Sequence, residues 1–524
     1  MSQTATPQEI VEFFLKPTSY SHDVDSVHHY QTHVSHLFFA GDYVYKVKKP
    51  VDMGFLDFST LEKRRSAAMA ELELNRRVAP DVYLDIAAVH RDDSGRLSFN
   101  SPALVEEVAV VMKRLPEEQR LTNLIDSGAA SPAMMRDLGR RVADFHRRAK
   151  TSPEIAQYGS LVTVRHNWDE NFEQTESFIG RTLTLETWET CKQEIERFMR
   201  VHSDLFERRV KEGWIRDCHG DMQTDDIFID PATGVAQVLD CIEFNKRFRY
   251  SDTISDIAFL SMNLRHRGAD DLAAAFLAAY YENSDDEPIP SLLRFYESYR
   301  AYVRGKVRGF VIDQPGPSAE EKAVATQEAR GFFDRSLADA SRLRPRLVLA
   351  IGIMGSGKTK HARELARRSG ARVLHSDVVR KQLAGLDPHD EQKVPFGTGI
   401  YSGEWTEKTY EALLEQARRE LELGNSIILD ASWSKARYRA RARNVADERE
   451  ALFAVMECSA PDEVLHVRLS KPTRSITDGR LELLDDQRAA YERPSAEEAE
   501  LLLQIDTSGD FQQAATRAFE TLFA

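Results

Sequence analysis

Alternating apolar and polar residues in the first part of the chain predict a small sheet with one helix packed beside it. Residues 34–48 predict two short strands about a turn at 40–42, and residues 60–78 predict a helix. Further strands are predicted at 82–89 and 108–113. Strands on either side of one helix indicate an α+β arrangement.

The second half has a different pattern, in which short apolar runs alternate with helical stretches. These runs have the length of buried strands and cover residues 347–351, 371–375, 426–430, 451–458 and 501–506. Buried strands that alternate with helices predict an α/β domain with a doubly wound parallel sheet. Such sheets bind ligands at the carboxyl ends of their strands, so polar residues that follow each run are candidates.

A cluster of turn-forming residues at 313–318 separates the two patterns, and a polar helical stretch at 319–343 follows it. We place the domain boundary near Leu343, with this helix as a connector. The expected domains are an α+β domain at 1–343 and an α/β domain at 344–524.

Composition limits the kinds of partner. The chain has 524 residues, of which 42% are hydrophobic and 29% charged, and its net charge is −14. This acidic balance argues against a long contact with nucleic acid, and no apolar stretch approaches the roughly 18 residues of a membrane span. The four cysteines are scattered, which fits a reducing cytoplasm better than disulfides or a zinc site. We expect a cytoplasmic protein that acts on small molecules; the sequence indicates no oligomeric state.

The first apolar run of the second half leads into the motif G-x-x-x-x-G-K-T, and a helical stretch follows. Strand, glycine loop and helix in this order are the context of a P-loop, whose backbone N–H groups hold phosphate oxygens. The loop positions of this cradle are Gly352, Gly355, Ser356 and Gly357. Lys358 would reach the β- and γ-phosphates, and the Thr359 hydroxyl would help to hold Mg²⁺. The motif predicts a nucleotide site.

Two aspartates and a group of arginines would complete this second site. Asp377 and Asp430 each follow a predicted buried strand, at the sheet edge where the glycine loop also lies. We expect Asp430 to bind Mg²⁺ directly or through water. The segment 467–487 contains arginines that would close over phosphates and neutralise charge during transfer, namely Arg468, Arg474 and Arg480. Ordinary surface arginines are the alternative for each.

The first half carries its own group of carboxylates. His219-Gly220-Asp221 and Leu239-Asp240 each lie beside a short apolar run, so we expect them at neighbouring strand ends. Two Mg²⁺ ions on nucleotide phosphates need hard oxygen ligands, and one further carboxylate must orient the attacking hydroxyl. Asp221 suits the hydroxyl role, and Asp226 and Asp240 suit the metal role. Solvated turn aspartates are the alternative.

A lysine in the first half has a suggestive position. Lys46 lies on a predicted strand, and the next helix carries Glu71 and Glu73. A strand lysine followed by a helix glutamate is the arrangement of a kinase N-lobe. Any surface strand can carry a lysine, so this feature gains weight only with the carboxylates.

Together these residues resemble the aminoglycoside phosphotransferase-like kinases, whose signature is H-G-D-x-x-x-x-N followed by I-D-x-x-E/D. His219-Gly220-Asp221 and Asp240 with Glu243 match this signature. The resemblance implies a protein-kinase-like α+β fold, with Asp221 as catalytic base, Asp240 as Mg²⁺ ligand and Lys46 on the α- and β-phosphates. It also suggests Glu71 as the partner of Lys46, with Glu73 second.

The sequence departs from that family at Asp226, where asparagine is usual. Aspartate still offers oxygen to a metal but adds a negative charge, which affects metal preference and activity. Residues 45–61, 244–264 and 296–307 resemble one subgroup, bacterial proteins that fuse such a domain to a small P-loop kinase. The resemblance covers nearly the whole chain and identifies no substrate.

The second half resembles the small P-loop kinases related to gluconate kinase, chloramphenicol phosphotransferase and the zeta toxins. The match lies in the glycine loop and in residues 376–380. It implies that Asp377 orients or deprotonates the acceptor hydroxyl, that Arg380 holds substrate and that lid arginines clamp phosphate. ATP as the nucleotide is inferred from the family.

Other residues of the first half have open roles. A helix is predicted at about 292–308, and its cations would either bind an anionic substrate or form a solvated face, which we favour: Arg300, Arg304, Lys306 and Arg308. His146 is expected to be packed or capping. Asp252 and Asp256 are expected at the start of a helix.

The sequence thus predicts a bifunctional phosphotransferase, with one ATP- and Mg²⁺-dependent site in each domain. The expected acceptors are hydroxyl groups of small molecules such as sugars, aminoglycoside-like compounds or nucleosides. One alternative is that one domain binds nucleotide without turnover and regulates the other. Another is a nucleic-acid end kinase, against which the acidic charge weighs.

Overall fold

The computed structural model describes residues 5–54, 56–92, 95–99, 104–387, 395, 397–470, 481–499 and 501–523. The chain forms two compact units. The first contains Met1–Trp188, Phe206–Pro288 and Tyr296–Leu337, and the second contains Glu189–Leu205, Ile289–Phe295 and Ala338–Ala524. None of the helices in the described ranges is long and apolar enough to cross a membrane.

The first unit begins with a six-stranded sheet in the order β1-β2-β3-β6-β4-β5, in which all neighbours are antiparallel. Its strands are β1 (Val27–Gln31), β2 (Ser35–Ala40), β3 (Tyr43–Lys48), β4 (Tyr83–Arg91), β5 (Leu97–Ser98) and β6 (Val105–Lys113). Two helices accompany the sheet, α1 (Pro7–Leu15) and α2 (Leu61–Asn75). The Thr60 side chain caps α2 by accepting a hydrogen bond from the Lys63 N–H. The predicted strands and the helix between them are confirmed.

The alternation of side chains along β3 determines which of them face α2. Tyr45 and Val47 pack with Phe14 of α1, whereas Val44 packs with Ala68 of α2. Since side chains alternate along a strand, Lys46 lies on the same side as Val44. The lysine therefore points towards the helix that carries Glu71.

Helices dominate the next part of the chain. They are α3 (Leu121–Asp126), α4 (Pro132–Arg148), α5 (Pro153–Ala156), α6 (Leu161–Thr175), α7 (Leu185–Val201), α8 (Ser203–Lys211), α9 (Lys246–Arg249), α10 (Thr253–His266), α11 (Asp270–Asn283), α12 (Pro290–Asp313) and α13 (Ala319–Ala340). Two small antiparallel pairs lie among them: β7 (Ile215–Asp217) with β10 (Tyr250–Asp252), and β8 (Ile227–Ile229) with β9 (Ala236–Val238). A small sheet followed by a helical part agrees with the predicted kinase-like α+β fold.

The second unit is built on a five-stranded sheet in the order β12-β13-β11-β14-β15, and every neighbouring pair is parallel. Its strands are β11 (Arg346–Ile351), β12 (Arg372–His375), β13 (Ile427–Asp430), β14 (Leu452–Ser459) and β15 (Leu501–Asp506). Its helices are α14 (Lys358–Ser369), α15 (Ser376–Leu383), α16 (Gly403–Glu422), α17 (Ala436–Glu448), α18 (Asp462–Leu469), α19 (Leu484–Ala490) and α20 (Phe511–Phe523).

Helices cover both faces of this parallel sheet. Leu347 and Leu349 of β11 pack in one apolar cluster with Leu413 of α16, whereas Val348 packs with Leu365 of α14 in another. Successive residues of β11 thus enter two different cores, as a doubly wound sheet requires. The predicted α/β class is confirmed.

The domain boundary near Leu343 stays a prediction. The connector helix predicted at 319–343 is present as α13, which ends at Ala340. The second unit, however, also includes Glu189–Leu205 and Ile289–Phe295. No feature of the sequence pattern indicated that these two segments belong with the parallel sheet.

Candidate active sites

In the first unit, Lys46 of β3 holds two carboxylates from distant parts of the chain. Its Nζ lies 2.8 Å from Glu71 Oε1 on α2 and 2.6 Å from Asp240 Oδ1 after β9. Although burial by itself disfavours the charged lysine, the charges of Asp240 and Glu71 keep its pKa well above the ordinary value. Glu73, the second candidate partner, is exposed. The structure thus places Lys46, Glu71 and Asp240 together.

A second lysine on the same face of β3 makes a parallel set of contacts. Lys48 Nζ donates to Glu71 Oε2 at 2.8 Å and also pairs with Glu243, and only 3% of its side chain is exposed. Glu71 thus bridges two lysines, and Lys48 ties α2 to the Asp240–Glu243 segment. The sequence analysis gave Lys48 no role, although its spacing of two residues from Lys46 is a signal for a shared strand face.

The backbone around Asp240 is held by two hydrogen bonds. Asp240 adopts a left-handed conformation, with φ of 65°, and its N–H donates to the Tyr83 hydroxyl at 3.1 Å. The next residue, Cys241, donates its N–H to Asn75 Oδ1 at 2.9 Å. A non-glycine residue in this region of backbone space costs about 1–3 kcal/mol. These hydrogen bonds hold the carboxylate in the cleft, where 49% of its side chain is exposed.

The two acidic segments meet at one end of the β8–β9 pair, as predicted. Ile227 pairs with Val238, and the Leu239 N–H donates to the Asp226 carbonyl at 2.8 Å. Asp226 and Asp240 therefore flank the same end of this hairpin.

The loop His219-Gly220-Asp221 is held by hydrogen bonds to a buried aspartate. Asp256, in the first turn of α10, accepts hydrogen bonds from the N–H groups of His219 at 2.9 Å and Gly220 at 2.8 Å. His146 Nε2 lies 3.0 Å from the same carboxylate. Burial opposes the charge of Asp256, but these hydrogen bonds and the His146 ring hold its pKa well below the ordinary value. His146 is packed, as expected, whereas Asp256 has a larger role than a helix start.

Electrostatics separate the three aspartates of this cleft. Although burial opposes the charge of Asp240, Lys46 holds the pKa of this carboxylate below the ordinary value. Burial raises the pKa of Asp221 to about 6, in spite of the positive charges of Arg304 and Arg300 and a 2.6 Å hydrogen bond from Gln223 Nε2. Burial and the neighbouring charges of Asp240 and Asp221 raise the pKa of Asp226 well above its ordinary value. Carboxylates that repel one another in a cleft fit a divalent cation, which would neutralise them. Asp226 and Asp240 are therefore suitable Mg²⁺ ligands.

The helix α12 does not present its cations as a solvated face, so that expectation is wrong. Arg300 is 6% exposed and donates to the carbonyls of Gly220 at 3.0 Å and Ser255 at 3.1 Å. Only Arg308 behaves as predicted, since it is partly exposed and pairs with Glu328. The reason is the packing of α12, which runs behind the catalytic loop.

In the second unit, the glycine loop approaches its neighbours too closely for side chains. A Cβ on Gly352, whose φ is 141°, would lie 2.4 Å from the Cys458 carbonyl and 2.6 Å from Ser356 Oγ. Gly355 and Gly357 have φ of 76° and 86°, so both occupy the left-handed region. Lys358, at the start of α14, directs Nζ back to the Ile353 carbonyl at 3.4 Å. This cradle fits nucleotide phosphates.

Beside the loop, Thr359 and Asp430 form the pair expected of a Mg²⁺ site. The Thr359 hydroxyl donates to Asp430 Oδ2 at 2.7 Å, and His375 Nδ1 lies 2.7 Å from the same oxygen. The other oxygen, Asp430 Oδ1, is buried and has no hydrogen-bond partner within the described ranges. A buried carboxylate oxygen without a donor fits a cation. Asp430 and Thr359 would hold it, while His375 fixes the carboxylate.

The predicted acceptor-side residues lie on neighbouring elements of this unit. Asp377 is in the first turn of α15 and is partly buried. Arg380, on the same helix, is 7% exposed; its guanidinium lies 4.6 Å from the Tyr401 ring centre, and Nε is 3.4 Å from Thr409 Oγ1. Both side chains follow the carboxyl end of β12.

Only one of the predicted lid arginines lies within the described residues. Arg468 of α18 donates to the Gly355 carbonyl at 3.0 Å and to Thr507 Oγ1 at 2.9 Å. Thr507 in turn donates to the Ser356 carbonyl at 2.7 Å. Arg468 thus contacts the glycine loop itself. Arg474 and Arg480 lie outside the described residues.

Comparisons with known proteins match the two halves of the chain to two different families. Residues 42–293 match the phosphotransferase enzyme family, and residues 347–494 match a family described as an AAA domain. Uncharacterised proteins of Mycobacterium tuberculosis (strain ATCC 25618 / H37Rv) and Mycobacterium bovis (strain ATCC BAA-935 / AF2122/97) are 32% identical over 494 residues. The match covers 93% of this chain and 94% of each relative.

Two solved structures are similar to parts of the chain at low sequence identity. A choline/ethanolamine kinase family protein from Mesorhizobium loti is 12% identical and covers 63% of this chain and 99% of its own, with a TM-score of 0.38. A sugar kinase from Janibacter sp. HTCC2649 is 23% identical and covers 34% of this chain and 94% of its own, with a TM-score of 0.27.

Proposed function

The chain belongs to the family of these mycobacterial proteins and is a phosphotransferase with a kinase-like domain and a P-loop kinase-like domain; we propose that each domain is a separate ATP- and Mg²⁺-dependent kinase. The observation that carries the proposal is that both units contain the same set of side chains that phosphoryl transfer requires. Each unit has a lysine suited to bind phosphate, a pair of side-chain oxygens suited to a cation and a further carboxylate that could serve the acceptor.

In the first unit, Lys46 would bind the α- and β-phosphates of ATP, and Asp226 and Asp240 would hold Mg²⁺. Through the cation that they hold, Asp226 and Asp240 would supply positive charge against the charge that develops during transfer. Asp221 would accept the proton of the acceptor hydroxyl. The hydroxyl oxygen then bonds to the γ-phosphorus, the bond to the β–γ bridging oxygen breaks, and ADP leaves.

In the second unit, the glycine loop and Lys358 would hold the phosphates, and Thr359 with Asp430 would hold Mg²⁺. Asp377 would orient the acceptor hydroxyl, with Arg380 on the substrate and Arg468 close to the loop. We propose that the acceptors of both sites are small hydroxylated molecules, a class that includes sugars, aminoglycoside-like compounds and nucleosides.

The proposal is tested with full-length variants that silence one site each. Lys46→Ala and Lys358→Ala should each lower labelled-phosphate transfer from ATP into acceptors of one site by about 100-fold or more, because each removes a positive charge that binds phosphate. The double variant should transfer nothing. Lys49→Ala and Lys360→Ala are matched controls, since these lysines contact Thr32 and Phe511 rather than the sites.

Undiminished transfer by the double variant into acceptors from a fractionated metabolite extract would refute the proposal. Loss with Lys358→Ala alone, and none with Lys46→Ala, would instead favour the second candidate. In that case the first unit binds nucleotide and regulates the second. The specific observation behind this candidate is Asp226, whose raised pKa marks an excess of negative charge in the cleft.

Replacement of the two aspartates of the P-loop unit should impair different steps. Asp377→Asn is expected to bind ATP with Mg²⁺ almost normally and to turn over slowly. Asp430→Asn should weaken the dependence on Mg²⁺ itself, because it removes a proposed ligand. Metal titrations of both variants, followed by calorimetry, measure this, and identical titrations would contradict the division of roles.

A further inference from the structure

The helix α12 carries three cations in the part of the first unit that contains the first site. Arg300, Arg304 and Lys306 have no ion pair with an acidic side chain in the part of the chain that the structure describes. Arg300 donates to backbone carbonyls, and Lys306 Nζ donates to Asn171 Oδ1 at 2.6 Å and Gln174 Oε1 at 2.8 Å. Arg304 Nε is buried and has no hydrogen-bond partner among the described residues.

Two of these cations, Arg300 and Arg304, lie next to the proposed base, whereas Lys306 contacts α6. Arg300 contacts the Gly220 carbonyl directly, and Arg304 is one helical turn further along α12. The positive charge of Arg304 is near enough to oppose the rise in the pKa of Asp221 that burial causes. The side of Asp221 that faces α12 is therefore positive.

Arg300 also lines a cavity, together with residues of α6 and of 247–255. Tyr158, Phe248 and Tyr299 supply aromatic walls, and Arg247 supplies a further guanidinium. Among the lining side chains, Asn167 Oδ1, Arg247 Nη1 and Ser251 Oγ are buried without hydrogen-bond partners in the described chain. Such a wall suits a polar ligand with an apolar face.

The acids near this cavity are already neutralised by other partners. Asp252 pairs with the buried Arg209, and Arg209 Nη2 lies 2.7 Å from Asp252 Oδ1. Glu170 pairs with Arg247 at 2.7 Å. At the cavity itself, Arg300 is therefore left with carbonyl partners only, whereas a site for a cationic amino compound would need free carboxylates there.

Arg300 is buried with carbonyl partners only, and Arg304 Nε is a buried donor without a partner among the described residues. Both groups would be stabilised by a ligand that supplies a negatively charged oxygen. We propose that the acceptor of the first site is an anionic hydroxyl compound, with a carboxylate or phosphate group held by Arg304 and supported by Arg300 and Lys306. This inference rests on the proposed kinase function of the first unit. It narrows the acceptor class and removes aminoglycoside-like cations from it.

Arg304 has one competing role, which is contact with the γ-phosphate of ATP. The two roles differ in kinetics, because an acceptor contact changes the KM of the acceptor and a nucleotide contact changes that of ATP. The test must therefore measure both substrates separately.

The experiment uses the full chain with Lys358→Ala, so that only the first site can turn over. The probes share one skeleton and differ in charge: D-glucose, D-glucuronate, D-glucose 1-phosphate and D-glucosamine, at constant ionic strength. Labelled transfer from ATP is measured, and binding is followed by calorimetry with Mg²⁺ and a non-hydrolysable ATP analogue. We expect at least one acid to bind about tenfold or more tightly than D-glucose, and D-glucosamine to bind least.

Adding Arg304→Gln should raise the Kd of the preferred acid, and its KM where transfer occurs, by about tenfold or more while leaving the KM of ATP unchanged. Arg304→Lys should restore part of the loss. Arg308→Gln is the matched control, because this arginine lies one turn further along and pairs with Glu328. It should change neither constant.

Equal or weaker binding of both acids relative to D-glucose, with or without transfer, would overturn the inference. An Arg304→Gln variant that affects only ATP would also overturn it, by moving this arginine to the nucleotide. Failure of the proposed function looks different: ATP binding would then be insensitive to both Mg²⁺ and Lys46→Ala.

Discussion

Asp221 is the residue whose environment most directly sets a measurable property. Burial raises its pKa from 3.8 to about 6, and only the carboxylate form can accept a proton. Above about pH 6 the base is available, and below that pH the kcat/KM of the first site should fall about tenfold per pH unit. A pH–rate profile of the Lys358→Ala chain measures this limb. A profile that stays flat down to pH 4.5 would contradict the role of Asp221.

The hydrogen bond from Gln223 offers a control for that profile. Gln223→Leu removes a donor to the charged carboxylate, so the pKa of Asp221 should rise further and the acid limb should move up by about one pH unit. Arg304 opposes the same rise from the other side. Replacement of Gln223 without any shift would mean that another group controls the limb.

Lys48 should matter more for folding than for chemistry. It is 3% exposed and lies between two carboxylates, Glu71 and Glu243. Lys48→Met leaves both acids without this partner in the interior, which should lower the free energy of unfolding by about 3–5 kcal/mol. Urea unfolding measures the loss, with Lys49→Met as the control on the same strand end. A loss below about 1 kcal/mol would show that the ion pair does not hold the segment.

At the scale of elements, the start of α10 positions the catalytic loop. Asp256 accepts hydrogen bonds from two backbone N–H groups of that loop. Gly220 of the loop has a φ of 90° and no space for a Cβ, which would lie 2.9 Å from the Phe248 carbonyl. Asp256→Asn keeps the size of the side chain but loses the charge and half of the acceptors. We expect kcat to fall about tenfold or more with little change in the KM of ATP.

Hydrogen exchange separates this positioning role from a general loss of stability. In Asp256→Asn, the amides of His219 and Gly220 should exchange faster, whereas those of the β3–β6 pair should not. Asp270→Asn, an exposed change at the start of α11, should leave both rates and kcat unchanged. Uniform acceleration throughout the first unit would instead indicate global destabilisation.

Some of these elements and contacts could be predicted from the sequence, and others could not. The parallel sheet and its glycine loop were predictable because strand, loop and helix follow one another directly. The contacts of Lys48 were not, since Glu243 lies 195 residues away and no local pattern joins the two. Arg300 was assigned to a solvated face because helix periodicity does not tell which neighbour covers a polar residue. Arg474 lies outside the described residues, so its role stays a prediction.

For the whole molecule, the second unit extends beyond its continuous stretch of chain. His202 Nδ1–H donates to the Glu422 carbonyl at 3.1 Å, and Arg200 pairs with Glu450 at 2.8 Å. Ser291 Oγ also donates to the Leu423 carbonyl. The helical segments Glu189–Leu205 and Ile289–Phe295 therefore bond to α16 and to the residues that follow α16 and α17. A fragment that begins at residue 344 would therefore lack these contacts.

A fragment of residues 344–524, cut at the boundary that the sequence suggests, should be less stable than the same unit in the full chain. It loses the partners of the Glu422 and Leu423 carbonyls and of Glu450, which amounts to at least about 2 kcal/mol. The measurement compares urea unfolding of the fragment with the corresponding transition of the full chain, followed by hydrogen exchange of the β11 and β13 amides. Full-chain His202→Ala and Ser291→Ala should each reproduce part of the loss, whereas the exposed change Glu415→Ala should not. Equal midpoints for fragment and full chain would show that residues 344–524 fold independently of the two segments.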